Sequence, residues 1–427
     1  MSDEVRGKTF LGFGMGAVQA GLMLYEAFKS NNFNRFVILE VNREIVEAVR
    51  KSGNKIVVNT AKKNGILKST ISGFEIYNPN DSGDYQSICS SIFNADEIAT
   101  AVPSVDFYDT GENSIAKLLA GNLNPDKQQI LYAAENNNYA AEKLLALIRK
   151  HDNNKAKQFQ AVNTVIGKMG GVIFDERTVK ELNLDWMTPF SKTAVLVEEF
   201  NNIIISKITL PGFKRGIKVF EEKNELLPFE EAKLYGHNAV HSMLGFLAAL
   251  RGYTYMSEIR NDPELYQYGV EAFDNECGAF LLKKYESLNE PLFTYEGFKQ
   301  YGSDLLERMT NPYLRDEVKR ICRDPVRKLE YNDRFFGTIR EALRQNVYPK
   351  ILIKGVLGGI CYLIENKIDT DFSYPSKIEQ LNEKTIKEIL KSIWKEDSIK
   401  PEAEQLPDLV CSELGEFIDE FISIKKF

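Results

Sequence analysis

The sequence predicts an α/β chain, with a sheet-rich half up to about residue 206 and a mainly α-helical half over 207–427. Three observations carry that reading. Short β-branched runs alternate with helical segments through the first half, four glycines crowd the end of the first strand, and after Ile205 long amphipathic stretches replace the alternation. Such alternation is the pattern of βαβ units around a parallel sheet.

Taken in order, "KTFLGFG" reads as a strand, "AVQAGLMLYEAFKS" as a helix, "RFVILEV" as a strand and "REIVEAVRKSG" as a helix. Further strands are expected at "NKIVVNT", "GFEIYNP", "EIATAVP", "QQILYAAE" and "QFQAVNTVIG", with "TAVLVEEFNNIII" as the last. The stretch "LPGFKRGIKVFEEKNELLPFEE" is the nearest to a linker, and helical texture begins near Phe229. No internal repeat or low-complexity segment interrupts this order.

With 427 residues, 43% of them hydrophobic and 27% charged, the chain has the composition of a globular protein of two or three domains. A formal net charge of -7 gives no basic footprint, so neither nucleic acid nor an anionic membrane is expected as the main partner. The start carries acids and no signal-peptide pattern, no run reaches the roughly 18–20 apolar residues of a membrane span, and a cytoplasmic protein is expected. Five scattered cysteines without a CxxC pair and three histidines argue against a zinc site, so no metal is expected. His151, alone in a charged stretch, reads as a surface residue.

"TFLGFGMGAVQAG" places Gly12, Gly14, Gly16 and Gly21 after a strand and at the mouth of a helix. Glycine there lets the backbone approach a pyrophosphate while the helix start offers free N–H donors. The fit to GxGxxG is imperfect: counted from Gly14, the third glycine position holds Gln19, and counted from Gly12 it holds Ala17. A tight structural turn would give the same cluster, so the second strand decides. "FVILEVN" ends in Glu40, a carboxylate where the adenosine ribose diol needs an acceptor and where a 2′-phosphate would be repelled. NAD is therefore expected as cofactor, bound by a Rossmann-like domain over 1–206, with Gly14, Gly16, Gly21 and Glu40 as contacts. Arg43 keeps NADP open.

In the second half, "EAKLYGHNAVHSMLGFLAALRG" reads as a core helix that carries polar groups. At 3.6 residues per turn, Leu234, Asn238, His241 and Gly245 share a face, and Lys233 sits one turn before His237. Burying such groups without partners costs roughly 1–3 kcal/mol each, so they are either satisfied locally or line a cavity.

These residues, with others, resemble the polyol-specific long-chain dehydrogenases. "FGMGAVQAG" is similar to that family's FGxGxxGxG turn, "ATAVP" to its TTAVG strand end, "AAENNN" to its CEN motif, "NTVIGKM" to its N-S/T-x-V-D-R segment and "LVEEF" to V-E-x-F. Lys233, Asn238 and His241 reproduce K-x(4)-N-x-x-H, and "ECGAFLLKKY" and "CRDPVRKLEYNDR" resemble the family's helical signatures. The matches run collinearly from about Thr9 to at least Gly355. Gln19, Ala20 and the pair Gly167-Lys168 depart from the pattern, standing where the family has Gly, Arg and Asp-Arg.

The resemblance implies a zinc-independent dehydrogenase in which the protein supplies base and oxyanion stabiliser. Lys233 is the expected base, because an ammonium buried beside other donors loses proton affinity. Asn238 and Asn163 are expected to donate to the oxygen as it gains charge, and His241 to hold a neighbouring substrate hydroxyl. Asn136 is expected at the nicotinamide end, Glu198 at the substrate or behind it, and His237 in a structural role. Among Arg323, Arg327, Lys328 and Arg334, either Arg327 or Lys328 is expected to clamp a phosphate, unless this is a solvated helix face. The expected reaction interconverts a polyol phosphate and a ketose phosphate, of the mannitol 1-phosphate and fructose 6-phosphate type. A free polyol or a uronate as substrate, or a non-catalytic nucleotide-binding regulator, are the alternatives.

Overall fold

The computed structural model describes residues 7–152 and 155–422. Two compact units make up the chain, Met1–Glu230 and Glu231–Phe427. Twelve strands lie in the first among the described residues: β1 (Lys8–Phe13), β2 (Phe33–Leu39), β3 (Lys55–Lys62), β4 (Gly65–Ser72), β5 (Glu75–Tyr77), β6 (Glu97–Thr100), β7 (Gln129–Ala133), β8 (Phe159–Val165), β9 (Gly170–Ile173), β10 (Ala194–Glu198), β11 (Ile204–Ser206) and β12 (Glu221–Lys223).

The main sheet has the order β12-β11-β8-β7-β6-β1-β2-β5. From β8 through to β5 every neighbour is parallel, and the order reverses between β1 and β6. That is a doubly wound, Rossmann-type sheet, which binds its ligand at the strand ends where the order reverses. Its strands are apolar on both faces, as a sheet covered twice requires. Phe10, Ile38 and Tyr132 point into one core while their neighbours Leu11, Val37 and Leu131 point into the other. Each such fully buried side chain contributes about 1.5–3 kcal/mol of hydrophobic stabilisation.

Two features differ from the sequence expectation. The run "TAVLVEEFNNIII" is not one last strand: it supplies β10 to one sheet and β11 to the other, and β12 follows. A second sheet, β4-β3-β10-β9, arises because β3 pairs with β4 in a hairpin and with β10, 137 residues along from Val58 to Val195. Segment 207–230 also packs with the first unit. Buried Glu97 anchors it, accepting from Lys8 Nζ at 3.1 Å, Tyr132 OH at 2.8 Å and the Gly216 and Ile217 backbone.

The second unit is helical. Its two central helices, Ala239–Leu250 and Lys350–Glu365, are buried almost all round. Gly355 and Gly358 let them approach, since a Cβ at Gly355 would lie 2.7 Å from Met243 Cγ and one at Gly358 3.2 Å from Leu247 Cδ2. Among the described residues, no helix is long and apolar enough to cross a membrane.

Candidate active site

The glycine turn follows β1 directly. Gly14 has φ +90°, and a Cβ there would lie 2.8 Å from the Ala101 carbonyl oxygen at the end of β6, so only glycine fits. Its N–H donates to the Leu39 carbonyl at 2.8 Å, which ties the turn to the end of β2. Gly16 faces open space, leaving its backbone free to approach a ligand. Gly21 instead serves packing: a Cβ would meet Val197 of β10 at 2.5 Å.

Gln19, the departure from the glycine pattern, is fully buried, and neither of its amide atoms has a hydrogen-bond partner among the described residues. Gly12 makes room for it, since a Cβ at Gly12 would sit 2.1 Å from Gln19 Nε2. A glycine absent from the helix is thus matched by one on the strand, and the helix opens in a wide turn over Gln19–Met23. The turn keeps its shape with the larger residue in place.

Glu40 ends β2 as a buried carboxylate. Asn42 N–H donates to its Oε1 at 2.8 Å, and burial pushes its pKa up against the pull of backbone donors that include Met15 of the glycine turn. Strand end and turn are therefore one constellation. Arg43 is turned away, exposed and paired with Glu47 at 2.8 Å one helical turn on. The cradle fits a dinucleotide: a left-handed glycine, an open glycine, a helix start and a ribose acceptor in one corner of the sheet.

At the ends of β6 and β7, Glu135 joins the two loops, accepting from Thr100 Oγ1 at 2.9 Å, Val102 N–H at 2.9 Å and the Tyr108 hydroxyl. Burial raises its pKa. Asn136, next in sequence, is exposed at this rim. Asn163 is buried at the end of β8, where its Oδ1 accepts from Ala141 N–H and its Nδ2 donates to Glu142, both at 2.8 Å. One of its two amide hydrogens is thereby used to hold the helix Ala140–His151. Glu198, also buried, accepts from Met169 N–H at 2.5 Å, while Lys168 Nζ donates to the Glu198 and Phe200 carbonyls at 2.5 and 2.7 Å. Where the family pattern has Asp-Arg, the lysine here clasps the end of β10. His151 lies at the surface and pairs with Asp109 at 2.8 Å.

The stretch carrying Lys233 is not a continuous α-helix. A short helix, Leu227–Glu231, passes into a wide π-type turn over Ala232–Asn238 and only then into Ala239–Leu250. This corrects the 3.6-residue reading of shared faces. Five residues of α-helix rotate by about 500°, leaving Lys233 and Asn238 about 140° apart. A turn closed by i→i+5 bonding brings that same spacing back toward one face, and such turns recur at functional sites. Asn238 ends the turn and His241 follows three residues on.

His241 is buried with Nε2 3.3 Å from Asp316 Oδ2, a close contact without good hydrogen-bond alignment. Arg320 holds the other oxygen of Asp316 through Nε at 2.7 Å, and His241 and Arg320 together keep that carboxyl below its usual pKa despite burial. His237 is buried with its ring 5.9 Å from that of His241. Burial first, then the charges of His241, Arg308, Lys233 and Arg334, hold it well below the usual imidazole pKa, so it stays neutral.

Beside this helix lies the basic cluster. Arg334, buried, donates from Nη1 to Ser242 Oγ at 3.2 Å, next in sequence to His241, and from Nε to Asp333 at 2.7 Å. Arg327 is half exposed and also binds Asp333, at 3.1 Å. Lys328 is 5% exposed, donates to the Arg323 carbonyl, and has no carboxylate partner among the described residues. Burial and the charges of Arg334 and Arg327 push its pKa down to about 8. Sequence reasoning counted Arg334 in the cluster but favoured Arg327 or Lys328 as the clamp, whereas Arg334 is the one bonded to the helix of His241. Asp316 carried no sequence signal, since its contact with His241 spans 75 residues.

A dinucleotide cradle on a doubly wound sheet, joined in one chain to a helical unit bearing Lys, Asn and His, defines a two-unit dehydrogenase fold. The same fold is seen in a D-sorbitol dehydrogenase in substrate-free form (TM-score 0.72, 13% identity, 98% of this chain and 94% of that one). It recurs in Pseudomonas fluorescens mannitol 2-dehydrogenase in ternary complex with NAD and D-mannitol (TM-score 0.67, 15% identity, 98% and 93%). Residues 225–405 match the mannitol dehydrogenase C-terminal domain family. Mannitol-1-phosphate 5-dehydrogenase of Thermoanaerobacter pseudethanolicus is 27% identical over 354 residues, 82% of this chain and 84% of that protein. Its counterpart in Clostridium acetobutylicum is 26% identical over 364 residues, 84% and 87%. The chain is thus similar, over most of its length, to dehydrogenases of the polyol-specific long-chain type that its motifs resemble.

Proposed function

We propose that this chain is an NAD-dependent dehydrogenase acting on a CH–OH group, interconverting a polyol phosphate and a ketose phosphate of the mannitol 1-phosphate and fructose 6-phosphate type. The observation that carries the reading is the wide turn Ala232–Asn238, whose i→i+5 winding would turn Lys233 and Asn238 of K-x(4)-N-x-x-H toward one face. The curated relatives named above support the substrate class.

In this reading Gly14 and Gly16 receive the pyrophosphate, Gly21 keeps the helix against the sheet, Glu40 takes the adenosine ribose, and Asn136 lies at the nicotinamide end. NAD held there would supply the hydride acceptor for the carbinol carbon. Lys233, as a neutral amine, takes the hydroxyl proton. Asn238 donates an amide N–H to the oxygen as its charge grows, with the remaining amide hydrogen of Asn163 as a second donor. His241 holds a neighbouring hydroxyl in an orientation set by Asp316, and Glu198 supports the end of β10. The phosphate is met by Lys328, a buried cation with no ion-pair partner among the described residues, with Arg334 and Arg327 around it. A free polyol is the second reading, favoured by the commitment of Arg327 to Asp333.

The test is NADH oxidation with fructose 6-phosphate, fructose and a set of uronates, for the wild type and Lys233→Ala. Turnover of the phosphorylated ketose in clear preference to fructose is expected, with at least roughly 100-fold lower turnover in the variant at little change in NADH affinity. Equal rates on both sugars would favour the free polyol. Near-normal turnover of Lys233→Ala at every pH would remove the lysine base.

A further inference from the structure

A wide turn inside a helix is less regular than the α-helix it interrupts and persists where neighbours hold it. In an α-helix the Ala239 N–H would donate to the Tyr235 carbonyl, four residues back. Here it donates to Gly236 instead. The Tyr235 oxygen is met from another helix: Cys277 Sγ lies 3.0 Å from it. Thr338 Oγ1 is 3.3 Å away, but its single proton has a nearer acceptor in the Arg334 carbonyl at 2.5 Å. The thiol is therefore the main side-chain donor to this carbonyl.

We propose that Cys277 is a positioning residue for the reaction, its thiol bonding the Tyr235 carbonyl and so fixing the wide turn that presents Lys233 and Asn238 together. This rests on the roles proposed above for those two residues. Cys277 is itself placed by a second wide turn, Ala272–Cys277, whose Phe273 ring packs near Gly236 of the first. The Tyr235 ring is fixed as well, lying so close to Gly337 that a Cβ there would be 2.6 Å from Cε1, and 6.2 Å from the Phe280 ring. Side chain and carbonyl of one residue are thus both held, in the middle of the turn. Burial drives the Cys277 thiol well above its usual pKa, so the proton it donates stays in place over the working range.

Packing alone would be served by valine, a small apolar side chain about a methyl group larger than cysteine and without a donor. Serine keeps the donor. That difference is the test, read on the full-length chain as steady-state kinetics and as amide hydrogen exchange over 232–241. Cys277→Val is expected to lower kcat roughly 3- to 10-fold, the weight of one hydrogen bond, at unchanged KM for NADH. Because only a neutral amine accepts the hydroxyl proton, alcohol oxidation should rise with pH as Lys233 loses its proton; the variant is expected to shift that rise and to speed exchange across the turn about tenfold. Cys277→Ser should restore kcat to within about twofold and return exchange to the wild-type rate. Wild-type kinetics in the valine variant, equal impairment in valine and serine variants, or unchanged exchange would each overturn the proposal. If the valine variant does not fold, Cys277→Ala takes its place under the same criteria. A wild type that turns over none of the sugars overturns the proposed function, and the exchange comparison then decides separately whether the thiol holds the turn.

Discussion

Lys328→Met should stabilise the ligand-free chain while weakening its hold on a phosphorylated sugar. The native lysine is nearly fully buried, has no carboxylate in ion-pair contact among the described residues, and is held at about 8 instead of 10.5. Through linkage, that difference costs the folded state about 3 kcal/mol at any pH below 8. Methionine fills similar space without charge but gives up the bond to the Arg323 carbonyl, worth about 1 kcal/mol. The variant is therefore expected to be about 2 kcal/mol more stable at pH 7, read by urea unfolding. Between pH 8 and 10.5 the unfolded lysine still carries a proton that the folded one has lost, so wild-type stability rises and the advantage of the variant fades. Fructose 6-phosphate should raise the melting temperature of the wild type and not of Lys328→Met, whose KM for it rises roughly 10- to 150-fold with kcat little changed. A variant less stable than wild type at pH 7, or an advantage that does not change with pH, would refute the account of an uncompensated buried charge.

Glu40→Ala should weaken NADH binding and narrow the gap to NADPH, because acceptor and repulsion vanish together; tighter NADPH binding by the wild type would contradict the assignment. Asp316→Asn, which keeps shape and loses charge, should lower kcat on the order of tenfold at constant NADH affinity and alter the pH profile, measured by steady-state kinetics. Glu276 caps the helix Lys350–Glu365 through Ile351 and Leu352 N–H at 2.6 and 2.9 Å, with its pKa pushed up to about 7 by burial. Because the folded state holds that proton more tightly than the unfolded one, stability falls as pH rises from about 4.5 to 7, by up to about 3 kcal/mol. Glu276→Gln should flatten that decline in urea titrations at pH 5, 6 and 8.

Much of the fold is legible locally. The alternation of apolar runs and helices marks β1, β2, β3, β5, β6, β7 and β8, because a strand covered on both faces must be apolar throughout. Gly14 and Glu40 are readable for a similar reason: a left-handed turn needs glycine, and a strand end with an acid is a recognisable punctuation. The strand β4, "GILKSTIS", escapes notice because its solvent face is polar and its partner supplies the other half of the pattern. The glycine-rich β9 is likewise defined only by its pairing with β10.

In the site, the sequence by itself determined which residue types stand at which spacing: Lys233, Asn238 and His241, the basic run around Lys328, and the glycine turn. The tertiary structure decided what those spacings mean. Whether five residues separate two side chains by 140° or bring them together depends on whether the helix takes a wide turn, and that depends on Tyr235 meeting Cys277 and Gly337, which lie 42 and 102 residues further along. Whether Lys328 is a solvated charge or a buried one depends on Arg334 and Arg323 around it, and whether Asn163 has both amide hydrogens to spend depends on Glu142. A helix period is a property of neighbouring residues, whereas burial, counter-ions and carbonyl partners come from contacts remote in sequence, and only the folded chain supplies them.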